Sequence, residues 1–566
     1  MAAAYRNKAS SQTAEKGETL MIKKAQTQFG VVRGIELSGK YAGITAFRSV
    51  PYAAPPIGDL RFRPPVDPEP WIGELDASLG APRPMQETGE GLTREPWVSD
   101  FYYVGTPPMS EDCLYLSITT GAADDTERRP VYMWFHGGGL SGGYYTEIEF
   151  DPSELARKGI VVVSVAQRLN VFGYLALPQL SAEQGGISGN YGLMDEIKAL
   201  EWVRENITHF GGDPDNITVG GQSGGTGKST ALATSPKTQG KIRRCINQSG
   251  LAWVRGDYLT LEQAYENNML YLRNIGLDPD ITPDELRKVP AFKFFKLKDG
   301  PKFGFGPGTV PGSMVCDGEY VAHVSGAQNM DEYGTHVDYL NGVNIGECTV
   351  RNQFAIGPTK KFETAEEFYD VMRDKLGDLY DKYDFESLFP VTDENADFQS
   401  RVLASRMCGN GLGLTMADRY FGAYRSKTAP DTRNWSYNFG RFPPCRPEDR
   451  GTVRDTALQL AWHSAELWYT FASLREGIPV SRPWEPIDFR LAEQMSSYWA
   501  NFIATGDPNG KDSEGNPLPF WPESRDSYGW MEISADGPQG HDGLTKLDEM
   551  GLEYLRRSGR YPEFND

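Results

Sequence analysis

The chain has 566 residues, a formal net charge of −20 and an apolar fraction of 39% with 12% aromatic residues, a profile that supports a large buried core. A field of that sign repels polyanions and excludes nucleic acid and anionic membrane surfaces as general partners. No stretch reaches the roughly 18 apolar residues of a membrane span, and six cysteines without C-x-x-C spacing point away from zinc and from a disulfide framework.

Residues 1–28 are polar and lack the apolar run of a signal peptide or anchor, so they are expected to form a flexible tail ahead of one domain at 29–566. Strand-length apolar runs follow at "RPVYMWFHGG" and "GIVVVSVAQRL". "LMDEIKALEWVRENI" places Leu193, Ile197, Leu200, Val203 and Ile207 on one helical face. "NITVGG" and "RRCINQSG" are again strands, separated by a turn and a helix-compatible "KSTALAT". This alternation predicts a central, mostly parallel sheet covered by helices on both faces. A helical and loop stretch from 255 to 335 separates these elements from later strands at "VDYLNGVNI" and "NWSYNFG".

The turn itself, "NITVGGQSGGTGKST" at 216–230, has two readings. A phosphate-cradling loop needs glycine five residues before Gly227, where this chain has Gln222. The alternative needs no adjustment: Gly221-Gln222-Ser223-Gly224-Gly225 is G-x-S-x-G between a strand and a helix, the turn that exposes a nucleophilic serine. Upstream, His136-Gly137-Gly138-Gly139 directly follows a predicted strand. In that position its backbone N–H groups serve a developing oxyanion, together with the N–H after the serine. A base must be histidine and must follow the serine in this fold class, which leaves His323, His336, His463 and His541 open.

The chain resembles the type-B carboxylesterase and cholinesterase family of α/β-hydrolases. "PYAAPPIGDLRFRPP", "SEDCLYLSI", "FHGGGLSGG", "QRLNVFGYLAL", "GNYGLMDEIKALEWVRENITHFGGDPDNITVGGQSGG" and "YWANFIATGDPNG" match its landmarks in order. The resemblance implies an α/β-hydrolase fold with long insertions over the active site. It implies Ser223 as nucleophile, Glu347 of "GVNIGECTVRNQF" as acid and His463 of "AWHSAELWYTF" as base, with Gly138, Gly139 and Gly224 as oxyanion donors. The implied activity is hydrolysis of a small-molecule carboxylic ester, with no metal or organic cofactor. The same triad also serves amides, carbamates and lactones, and relatives that lost the serine or histidine serve only in binding.

Three departures stand out. Gln222 replaces the family's usual glutamate, Lys228 interrupts the small residues after the turn, and Cys113 lacks the family's upstream partner cysteine. Lys228 is read as a packing or surface feature rather than a second base. An unpaired Cys113 favours a reducing compartment, and the cytoplasm is the expected location. Tyr144, Tyr145, Trp253, Trp468 and Tyr469 are expected to line an aromatic pocket suited to apolar or aromatic esters.

Overall fold

The computed structural model describes residues 21–87, 106–250, 258–297, 306–347, 362–406, 414–452, 454–478 and 482–558. Among them, eleven strands form one sheet. In chain order these are β1 (Ile35–Glu36), β2 (Thr45–Pro51), β3 (Tyr115–Thr120), β4 (Arg129–Phe135), β5 (Val161–Val165), β6 (Gly212–Gln222), β7 (Arg244–Gln248), β8 (Asp338–Asn344), β9 (Asn434–Phe439), β10 (Trp530–Ser534) and β11 (Gly537–His541). Their spatial order is β11-β10-β9-β8-β7-β6-β4-β5-β3-β2-β1. Every pairing from β5 across to β10 is parallel, and the antiparallel pairings lie toward the two edges. This is the sheet expected from the alternation of strands and helices.

Strand chemistry explains the two covered faces. Successive side chains of a strand point to opposite sides, and in β4 Val131, Met133 and Phe135 enter one core while Tyr132 and Trp134 enter another. Both sets are fully buried, which is why the strand reads as an unbroken apolar run. The first core is closed by α1 (Tyr191–Asn206), α2 (Gly224–Ala233) and α3 (Leu414–Thr428). Leu193, Ile197, Leu200, Val203 and Ile207 are all buried in it, as their spacing predicts. The second is closed by α4 (Pro486–Thr505), through Leu491, Met495, Tyr498, Trp499, Phe502 and Ile503.

The tail boundary requires correction. Lys24–Thr27, inside the stretch read as tail, pairs antiparallel with Gly30–Arg33, and Ile22 and Ala25 are buried in the first core. Polar composition hides this strand because only alternate residues face inward. Between β8 and β9, residues from Phe362 to Leu403 build a separate apolar cluster that also takes in Met550.

The sheet delivers β4, β6 and β8 to one end with their carboxyl termini together, the end where parallel sheets place their chemistry. Glycine makes the fit between helix and sheet there: a Cβ on Gly225 of α2 would lie 2.1 Å from the Phe135 carbonyl oxygen of β4. Gly225→Ala should therefore lower stability by about 1–3 kcal/mol, the usual cost of overpacking. Thermal unfolding checks this, and an unchanged midpoint would show that α2 tolerates a looser seat.

Candidate active site

Ser223 stands between the last residue of β6 and the first of α2, with φ 56° and ψ −118°, a conformation that L-residues rarely adopt. The surroundings hold it there. Its N–H donates to the Gln248 carbonyl at 2.9 Å, and its own carbonyl accepts from the Thr226 N–H at 3.0 Å and the Thr226 hydroxyl at 2.6 Å. A Cβ on Gly221 would come within 2.3 Å of the Gly225 carbonyl oxygen, so the turn closes only around glycine.

The His136–Gly139 loop leaves β4 beside this turn. A Cβ on Gly224 would lie 2.0 Å from the Gly139 carbonyl oxygen, which places the elbow and the loop in backbone-to-backbone contact. Gly138 has φ 90° and a Cβ there would meet the Gly142 carbonyl at 2.3 Å. The loop is tied back by the Gly142 N–H on the Gly138 carbonyl at 3.1 Å and by the Asn170 N–H on the Leu140 carbonyl at 2.6 Å. Among the described residues, the N–H groups of Gly138, Gly139 and Gly224 donate to no protein acceptor. The first N–H of a helix has no intrahelical partner either.

Glu347 and His463 are brought together by a backbone bridge one residue earlier, Gly346 to Trp462, with the Gly346 N–H donating to the Ala461 carbonyl at 2.9 Å. His463 Nδ1 lies 2.5 Å from Glu347 Oε2, and Glu347 Oε1 accepts from the Asn344 N–H at 2.7 Å. The Glu347 side chain is 3% exposed and that of His463 is 28% exposed, so the acid is shielded while the ring reaches solvent. His463 Nε2 lies 3.2 Å from the Gln222 amide nitrogen. A ring protonated on Nδ1 satisfies both contacts, donating to Glu347 and accepting from the Gln222 amide at Nε2; it is the tautomer a general base needs once Gln222 gives way. Among the described residues, no hydrogen bond joins the Ser223 hydroxyl to His463; Gln222 occupies that ring nitrogen instead. Catalytic hydrogen bonds are often long or unformed before substrate binds.

The other histidines are placed elsewhere. His323 Nε2 pairs with Glu332 at 2.6 Å, His336 accepts from the Gly240 N–H at 3.0 Å, and His541 stacks on Trp530.

Behind the site lies an unusual set of buried ionisable groups. Burial, and then the charge of Lys228, hold His136 well below the ordinary histidine range. Lys228 is fully buried, so the surface alternative for it is overturned. Its ammonium donates to the His136 carbonyl at 3.0 Å, and burial lowers its pKa to about 8. Glu196 is also fully buried, neither carboxyl oxygen has a hydrogen-bond partner, and burial pushes it up to about 8. Glu466 accepts from the Asn344 side-chain amide and is pushed up to about 7, chiefly by burial and then by the charge of Glu347. Sequence reasoning gave no sign of Asn344, which donates to Glu347 through its backbone and to Glu466 and the Trp462 carbonyl through its amide. Glu347 is three residues away, but Trp462 and Glu466 are 118 and 122 residues away in the chain, and only tertiary folding brings them to it.

The expected aromatic pocket is corrected in part. The Tyr145 hydroxyl accepts from the Ala81 N–H at 3.0 Å and donates to the Arg48 carbonyl at 2.8 Å, with the ring in a cluster with Ala81 and Ala166. Trp468 and Tyr469 are fully buried in the second core, and the Tyr469 hydroxyl donates to Asp488 at 2.8 Å. Tyr144 is buried, with its N–H on Glu147. Trp468 and Tyr469 sit on a short helix, Leu467–Thr470, that packs into the second core, and Tyr145 packs in its own small cluster. Trp253 lies outside the described residues.

The sequence profile of the Carboxylesterase family matches residues 22–548. The chain is 31% identical to the fumonisin B1 esterase of Sphingopyxis macrogoltabida, over 85% of this chain and 82% of that one. It is 29% identical to the para-nitrobenzyl esterase of Bacillus subtilis, over 85% and 90% of the two chains. Among solved structures, a Geobacillus stearothermophilus carboxylesterase superimposes with a TM-score of 0.69 at 26% identity, covering 94% of this chain and 99% of that one.

Two measurements follow from this geometry. Glu347→Gln keeps the shape but loses the charge that steadies an imidazolium, so kcat should fall about 10²–10⁴-fold with little change in KM. Steady-state kinetics showing less than a tenfold loss would move the acid's role elsewhere. The second concerns Glu196. The fold holds its proton more tightly than the unfolded chain, whose carboxyl titrates near 4.5. Its contribution to stability is thus fully present below about pH 4.5 and is lost as pH rises through about 8. Glu196→Gln should remove a decline of up to about 1.4 kcal/mol per pH unit across that window. Denaturant unfolding of both proteins from pH 5 to 9 would test it, with parallel curves as the contrary result.

Proposed function

The chain belongs to the carboxylesterase family, and from that premise we propose that it hydrolyses carboxylic esters through an acyl-enzyme built on Ser223, His463 and Glu347. The observation that carries the reading is the 2.5 Å contact between His463 and Glu347, beside a serine held at positive φ and facing the Gly138–Gly139 loop. In the first step the Ser223 hydroxyl attacks the ester carbonyl carbon while His463 Nε2 takes its proton. Glu347 keeps the other ring nitrogen protonated and stabilises the imidazolium. Negative charge develops on the carbonyl oxygen, where the N–H groups of Gly138, Gly139 and Gly224 receive it. Collapse of the tetrahedral species expels the alcohol, protonated by His463. Water, deprotonated by the same ring, then releases the acid.

Apolar or aromatic groups on the ester are supported by the similarity to a para-nitrobenzyl esterase. A reducing, cytoplasmic setting is supported by the thiols: Cys113, Cys245, Cys316 and Cys445 are all free.

Ser223→Ala should leave the fold intact and lower ester turnover by about 10⁶-fold, as in other serine triads. An organophosphate should label Ser223 in the wild-type protein. A panel of esters, amides, carbamates and lactones then ranks the bond types, with esters expected to turn over fastest. Retention of a tenth of the activity in Ser223→Ala, or an adduct on another residue, would sink the assignment.

A further inference from the structure

Resting on that reading of Ser223, we propose that Lys228 is a positioning residue of the oxyanion hole, whose ammonium grips the His136 carbonyl and so fixes the peptides that carry the Gly138 and Gly139 donors. Lys228 is fully buried, which rules out contact with substrate and requires that it act through the loop. Its ammonium donates to the His136 carbonyl at 3.0 Å. Gln167, oriented so that both ends of its amide find partners, accepts from the same ammonium at 2.5 Å and donates to the Val165 carbonyl at 2.9 Å. Gly225, three residues before Lys228 on α2, lies against the same carbonyl: a Cβ there would come within 3.1 Å of the His136 oxygen. One face of the helix that begins at the nucleophile thus holds the root of the oxyanion loop by both close packing and a charge-assisted hydrogen bond.

The charge is directed toward the loop. Among the described residues, no carboxylate lies within ion-pair distance of the Lys228 ammonium; Glu196 acts on it only at longer range, with both of its oxygens unpartnered. Glu147, the other carboxylate whose charge reaches it, is engaged by the Tyr144 N–H at 2.7 Å. Two neutral oxygens therefore solvate the ammonium, and its field is not cancelled by a contact ion pair. A buried ammonium carries a heavy desolvation cost that a methionine of similar length would avoid. What lysine adds at this position is the bond to the loop and a positive charge beneath the site where negative charge develops, in a medium that screens it weakly.

The test compares wild type, Lys228→Met and the double variant Lys228→Met/Glu196→Gln, which also removes the carboxyl that the single variant leaves facing an uncharged chain. Active sites are counted by organophosphate titration, so that kcat refers only to folded enzyme. The second reagent is a trifluoromethyl ketone. The Ser223 oxygen bonds to its carbonyl carbon, the C=O π pair moves to oxygen, and the hydroxyl proton passes to His463, giving a stable copy of the tetrahedral oxyanion. Lys228→Met should lower kcat per site by about ten- to a hundredfold, less than the 10²–10³ loss from deleting an oxyanion donor itself, with KM within about threefold. Ketone affinity should weaken in parallel with kcat/KM. The double variant should recover melting temperature without recovering kcat, and it is the variant read if the single one yields no titratable sites. A kcat per site within about threefold of wild type, recovery of kcat in the double variant, or ketone affinity unchanged while kcat falls would each overturn the proposal. Turnover surviving in Ser223→Ala, assayed alongside, would instead defeat the nucleophile reading beneath it.

Discussion

The contact on which the site depends is the meeting of two backbones, where the start of α2 presses against the loop that leaves β4. Side chains cannot mediate it. Gly224 sits against Gly139 and Gly225 against Phe135 at separations that leave no room for a methyl group. This close approach seats the Gly138–Gly139 loop directly against the turn that carries Ser223. It also forces the serine into its uncommon backbone conformation, because the chain must leave β6 and enter a helix that is already docked. The unusual backbone of Ser223 and the close seat of the glycine loop are thus two results of one packing constraint.

The second half of the machinery is assembled differently. Glu347 and His463 arrive on loops after β8 and β9, and a single backbone bridge aligns them. Asn344 then joins Glu347, Glu466 and the Trp462 carbonyl into one buried hydrogen-bonded group. Polar atoms at this depth are expensive unless partnered. Their partners here are mostly backbone groups and amides, which orient the acid without neutralising it.

What could be read in the sequence divides along the same line. The elbow and the glycine loop are local, since each rests on a few adjacent residues whose lack of side chains is the mechanism, and both were legible from G-x-S-x-G and His136-Gly137-Gly138-Gly139. The parallel sheet was legible because its strands are buried on both faces and read as apolar runs. The identity of the base and the acid was not: four histidines met the order requirement, and family resemblance, rather than residue chemistry, pointed to His463 and Glu347. For Lys228 the packing reading holds and the surface alternative falls, since its burial depends on the loop after β4, 92 residues away in the chain, and no local pattern reports that. Tyr145, Trp468 and Tyr469 enter the core for a related reason, since tertiary packing decides which way such an aromatic faces and local sequence does not encode it. The strand at Lys24–Thr27 escaped notice because its outward residues are polar.

The Gly346–Trp462 bridge has an evolutionary corollary. Because it clamps the loops of Glu347 and His463 at their roots, the chain from beyond Glu347 to β9 need not contribute to the spacing of those two groups. That intervening chain also carries an apolar cluster of its own, from Phe362 to Leu403. Lengthening, shortening or exchanging it leaves the bridge between Gly346 and Trp462 in place. A lineage can therefore accept insertion and recombination in this stretch without disturbing the spacing of Glu347 and His463.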